Sequence, residues 1–147
     1  MVAQAQVGEI LAGLGSSTAL QLIVGDFNST PSSLAYADMV AAGFIDTAAA
    51  VGATGFTCCQ NPDLNNPVSA SSFRIDYVFE RNFGSIPSAL LVGNTPFENI
   101  RPQWPSDHAG LVASVEAPEP PTATIFFVGL MFLGFRKFSR SRRWVRA

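Results

Sequence analysis

Cations are scarce over most of this chain, and cysteine and histidine are scarcer still. Up to Glu119 only three arginines (Arg74, Arg81 and Arg101) stand against eleven acids, a net −8; the six other cations all follow, with no acid among them. So acidic a body is poor ground for tight nucleic-acid binding, whose affinity comes mainly from cations at phosphates. It is more compatible with carboxylates that hold a divalent ion. The two cysteines, Cys58 and Cys59, are adjacent. An ordinary disulfide between them is therefore excluded, and metal binding by them would need partners the chain lacks, so they read as structural or idle thiols. A basic start and a long apolar core are both missing from the N-terminus, so no signal peptide is visible. Met1 is followed at once by what looks like the inside of a domain.

What is there suffices for one domain of ordinary size. Of 147 residues 48% are hydrophobic, and twelve are phenylalanine, which fits a packed core rather than disorder. Val7, Ile10, Leu11 and Leu14 at helical spacing predict a helix over 2–14 that ends near Gly13 or Gly15. Leu22-Ile23-Val24 reads as a buried strand that stops at Gly25. Thr30 is a plausible N-cap with Pro31 at the first helical position, and Gly43 marks the stop of that second helix. Asp46 reads as a cap or turn residue rather than a ligand. Gly55 to Cys59 suggests a strand, followed by a polar loop from Gln60 to Ser72. Ala89–Val92 and Leu111–Val115 are short strand-like runs.

Three short motifs carry candidate chemistry. In Gly25-Asp26-Phe27-Asn28 a carboxylate and an amide two residues apart would project to one side of extended chain, where they could orient a water and bond an oxyanion. A turn or cap is the structural alternative. Phe73 to Phe79 alternates as a strand, with Asp76 on the face of Arg74 and Val78. An unpaired buried carboxylate is costly, so Asp76 needs a partner, either Arg74 or something distant. His108, the single histidine, follows Ser106-Asp107 at the mouth of an apolar run. A lone histidine is commonly structural, but this placement beside an acid favours a site.

Gly-Asp-Phe-Asn at 25–28, Arg-Ile-Asp-Tyr at 74–77 and Ser-Asp-His at 106–108, in that order, resemble the C-terminal half of the endonuclease/exonuclease/phosphatase family, over roughly Val7 to Val115. The resemblance implies a metal-dependent phosphoester hydrolase, of phosphodiesterase or nuclease type, with an α/β fold: half of a four-layer α/β sandwich, a mixed sheet with flanking helices, over residues 1–116. It implies that Asp26 activates the attacking water and Asn28 contacts the phosphate. His108 would donate to a phosphate oxygen, Asp76 would pair with His108, and Asp107 would belong to a Mg²⁺ or Mn²⁺ site. The family's N-terminal half supplies a further metal-binding glutamate, an asparagine and another histidine or tyrosine. The chain begins after them, so weak or no activity alone is expected, with an exposed sheet face unless another chain supplies the missing half. The competing expectation is a non-catalytic, exported or membrane-tethered fragment. Substrate choice among nucleic acid, lipid head group and small phosphoester stays open.

Residues 117–121 read as a Pro-rich linker. Thr122 to Phe135 are fourteen residues without a charge, about 21 Å as a helix against a ~30 Å hydrocarbon core, which snorkelling by Arg136 and Lys137 could extend. Pro118-Glu119-Pro120, an apolar helix and an arginine-rich end over 122–147 resemble the PEP-CTERM sorting signal of Gram-negative bacteria. That resemblance implies a membrane-associated or exported protein with the basic end cytoplasmic, and processing by an exosortase.

Overall fold

The apolar spacing at the N-terminus does wind into a helix: in the computed structural model, which describes residues 2–53, 55–97 and 102–118, α1 runs Val2–Leu14. Val7 is buried, Leu11 and Leu14 pack against the core, and Ile10 at 39% exposure sits at its rim. Gly15, at φ +57°, ends the helix and donates its N–H to the Leu11 carbonyl. Strand β1 follows at Gln21–Asp26.

The second helix, α2, is Leu34–Ala41, and its N-cap is Ser33, whose hydroxyl accepts the Tyr36 N–H. The start expected at Thr30-Pro31 is thus too early. Those residues form a turn closed by the Ser33 N–H on the Thr30 carbonyl, and a second hydroxyl three residues on takes the capping role. The stop at Gly43 stands as expected, with a clear cause. Gly43 at φ +86° donates to Val40, and Phe44 donates back to Met39, the Schellman pattern that satisfies the last carbonyls. Both Met39 and Phe44 enter the core.

Next come β2 (Ile45–Asp46), α3 (Thr47–Ala50), β3 (Asp76–Arg81), β4 (Ser85–Val92) and β5 (Gly110–Glu116). One sheet has the order β1-β3-β2 and the other is the β4-β5 pair. Among the described residues every strand pairing is antiparallel. The expected mixed sheet is therefore corrected. β1 and β2 share a direction, as their connection through α2 leads one to expect, but β3 inserts between them and runs against both. The fold is mixed α/β with antiparallel sheets and few helices.

β3 also begins three residues later than its sequence alternation predicts. Tyr77, Val78, Phe79 and Glu80 are all buried, because both faces of this central strand are covered. Phe73 is 54% exposed and only bridges to Cys58. The strand expected at 55–59 is likewise a single bridged position, Cys58, joined to Phe73 on one side and His108 on the other.

The core gathers Val7, Ala35, Met39, Phe44, Tyr77 and Phe79. Phe27 stands edge-on to Tyr77 and Phe79 at 5.6 and 5.2 Å, the geometry that ring quadrupoles favour. Arg81 ties the helix ends together: its guanidinium donates to the carbonyls of Gly15 and Ala42 and lies over the Phe44 ring. On the other face of the sheet β5 packs against β3, but Leu22 and Val24 of β1 remain 50% and 61% exposed.

The linker assigned to 117–121 is described only at Ala117 and Pro118, which are neither helix nor strand. The apolar helix and basic tail of 122–147 lie outside the described residues. Among the described residues no helix is long and apolar enough to cross a membrane.

Candidate functional site

Asp26 ends β1 and Asp76 begins β3, and the strand register sets them directly opposite each other. Like charges in that position repel, so the pair calls for a cation. His108, just before β5, supplies one: its Nδ1 lies 2.9 Å from the Asp76 carboxylate. Ligand atoms of Asp26, Asp76 and His108 all lie within 4.8 Å of one another. A crevice of about 140 Å³ between Asp26, Asp76 and Ala109–Leu111 opens alongside.

Partial burial favours the neutral imidazole, but it is outweighed. The Asp76 hydrogen bond and charge, with Asp26 and Asp107 adding to the field, raise the His108 pKa above the ordinary 6.5.

The segment around Cys59, itself 49 residues from His108 in sequence, holds this arrangement. The Ala109 N–H donates to the Thr57 carbonyl and the Gln60 N–H to the Asp107 carbonyl, both at 2.8 Å. On the other flank the Thr57 and Cys58 N–H groups reach the Phe73 carbonyl. The fully buried Thr57 hydroxyl oxygen accepts the N–H groups of Ile75 and Asp76, each at 3.1 Å. Thr57 thus fixes the backbone that carries Asp76 while its own carbonyl fixes the chain beside His108.

Arg74 does not pair with Asp76. It bridges to Asp46, which also caps α3 through the N–H groups of Ala48 and Ala49 and accepts the Tyr36 hydroxyl. Desolvation of Arg74 is outweighed by this bond and charge, and its pKa is raised. The Tyr77 hydroxyl stands 2.7 Å from the Ser29 carbonyl and 2.8 Å from that of Arg74. Burial, the largest influence, pushes its pKa well up.

Asn28 is placed by a mechanism other than strand alternation. The strand has ended, Asn28 adopts φ +47°, and its N–H donates to the Asp26 carboxylate at 2.7 Å. The motif is an Asx-turn that still leaves the exposed Asn28 beside Asp26. Asp107 is exposed and accepts the Ser106 hydroxyl at 3.2 Å, outside the three-residue group. Asp26 and Asp76 offer hard carboxylate oxygens within one group, the donor type that hard divalent cations take.

Three contributors have no sequence signal of their own. Thr57 reads as an ordinary β-former, and Tyr77 as one more core aromatic. Cys59 brings its sulfur to 3.9 Å from His108 Nε2.

Taken together, these elements define an α/β domain whose acids and sole histidine converge at the meeting of two strand ends. The chain belongs to the endonuclease/exonuclease/phosphatase family, whose model matches residues 3–108. Members of that family are generally dependent on a divalent metal. Two solved structures share the fold. One is a functionally unknown conserved protein from Enterococcus faecalis V583, 21% identical with a TM-score of 0.57, matched over 79% of this chain and 44% of its own length. The other is an endonuclease/exonuclease/phosphatase family protein from Leptotrichia buccalis C-1013-b, 20% identical with a TM-score of 0.51, matched over 77% and 42% respectively. The chain thus spans less than half the length of either. No curated protein matches it.

Proposed function

We propose that this domain contributes part of a phosphoester-hydrolysing site of phosphodiesterase or nuclease type. The observation that carries the reading is the Asp76–His108 pair beside Asp26 at the paired strand ends. In this reading Asp76 is a positioning residue. It holds the imidazole by Nδ1, so that the charged ring presents its Nε2–H to a phosphate oxygen. Asp26, at the rim of the crevice, orients the attacking water and takes its proton. Asn28, fixed next to it by the turn, donates its amide to a second phosphate oxygen. Asp107 would hold the divalent ion, Mg²⁺ or Mn²⁺, which would supply charge neutralisation at the phosphoryl group.

Turnover by these residues alone is expected to be weak. The domain spans under half of its structural neighbours, and the exposed Leu22 and Val24 suit burial by further sandwich structure, carried by the same or another polypeptide. A membrane-associated or exported location rests only on the sequence of the tail, and flotation of the full chain with anionic vesicles tests it.

The test of the site uses the single histidine as reporter. Inorganic phosphate with Mg²⁺ should shift the His108 imidazole resonances of the full chain, and Asp76→Asn should weaken that response about tenfold. Resonances indifferent to phosphate would refute the site. Robust metal-dependent hydrolysis of bis(p-nitrophenyl) phosphate, abolished in His108→Ala, would instead refute the expectation of weak turnover.

A further inference from the structure

We propose that the phosphoester taken by this site is small and carries a flat heterocyclic ring, which stacks in a pocket walled by Phe56 and Phe73. The proposal rests on the phosphate reading above and names its substrate class. The pocket, about 400 Å³, is lined by both phenylalanines together with Thr30, Ser72 and Arg74, a size that small ligands fill. Phe56 and Phe73 are 59% and 54% exposed, and neither belongs to the core around Tyr77 and Phe79. Two rings that the core does not use thus flank one cavity.

Backbone pairing sets the pocket beside the site. Phe73 bridges to Cys58 and Cys58 to His108, so two strand spacings, about 10 Å, separate the Phe73 and His108 backbones. The opposite wall, at Thr30, lies two residues past Asn28. The Tyr77 hydroxyl holds the two walls together, within hydrogen-bond reach of the Ser29 and Arg74 carbonyls. A ring in the pocket and a phosphate at His108 are therefore the two ends of one molecule of nucleotide size.

Charge argues against larger and more anionic ligands. Arg74, the cation in the wall, is held by Asp46, and the chain up to Glu119 is a net −8. A polyanion such as duplex DNA gains its affinity from free cations, which this wall does not offer. An acyl chain would fill the apolar space but displace water from the Thr30 and Ser72 hydroxyls without replacing its hydrogen bonds. A heterocycle meets both requirements. Its faces stack on phenyl rings, and its edge nitrogens and carbonyls pair with hydroxyls.

The experiment follows the His108 imidazole resonances of the full chain with Mg²⁺ while inorganic phosphate, ribose phosphate, hexyl phosphate or AMP is added. AMP should half-saturate at a concentration about tenfold below that of ribose phosphate, the gain that one stacked base supplies. Phe56→Ala and Phe73→Ala should each shrink that ratio towards one, while Phe73→Trp, which keeps a stacking face, should preserve it. Both phenylalanines are more than half exposed, so neither truncation opens the core. Equal response to AMP and ribose phosphate, or a ratio unmoved in both alanine variants, would overturn the ring pocket and leave the phosphate reading standing. Tighter response to hexyl phosphate or to a short DNA duplex than to AMP would do the same. Resonances that ignore inorganic phosphate would refute the phosphate reading and this proposal with it.

Discussion

Asp46 is where a single substitution should do most damage, and the structure indicates how much. Its side chain is 2% exposed and that of Arg74 12%, so the pair is desolvated. The carboxylate also caps α3 with two N–H groups and accepts the Tyr36 hydroxyl. In Asp46→Asn an amide oxygen still caps the helix, but Arg74 keeps a buried charge without a counterion, a defect of about 3–5 kcal/mol. Asp46→Ala adds the lost cap, about 1 kcal/mol more. Arg74→Met should cost less than either, because Asp46 retains its three other donors, and it should relieve most of the Asp46→Asn defect when the two are combined. Against a total of about 5–15 kcal/mol for a domain, urea unfolding resolves these differences easily. If Asp46→Asn costs under about 1 kcal/mol, or Arg74→Met costs more than Asp46→Asn, the pair is not the buried brace described above.

Other perturbations separate the remaining supports. With chelator present, the excess stability of the native chain over His108→Gln should be full below pH 6.5, the ordinary histidine value, and should fade as pH rises through the raised folded-state pKa; unfolding at about pH 6 and about pH 9 checks the sign. Gly43→Ala should cost about 1–2 kcal/mol from backbone conformation alone, since a Cβ there would meet only Arg81 Cδ at an ordinary 3.7 Å. Thr57→Val should cost about 2 kcal/mol by stranding the Ile75 and Asp76 N–H groups, and it should also broaden the His108 imidazole signals as Asp76 loosens. Tyr77→Phe should cost about 1 kcal/mol through its lost carbonyl contacts.

Features set by neighbours in sequence were legible without the structure. Gly43 terminates α2 because a left-handed residue is needed there, and Asp46 caps as a short acid before three alanines should. The meeting of Asp76 with His108 was legible only through the three ordered motifs, since nothing local requires it. Illegible were features decided across the fold. Ser33 wins over Thr30 as the cap by where the chain enters α2. The alternation from Phe73 to Phe79 could not reveal that β3 is covered on both faces. Nor could the spacing of Cys59 and His108 show that the 57–60 segment lies along 107–109.

The Asx-turn at Asp26 has one more consequence. One carboxylate oxygen already accepts the Asn28 N–H, so the other is the one left wholly free for a ligand. Part of its torsional freedom is thus spent before a substrate arrives, which lowers the ordering cost of the encounter. Lengthening this side chain by a single methylene, as in Asp26→Glu, would keep the charge and forfeit that head start.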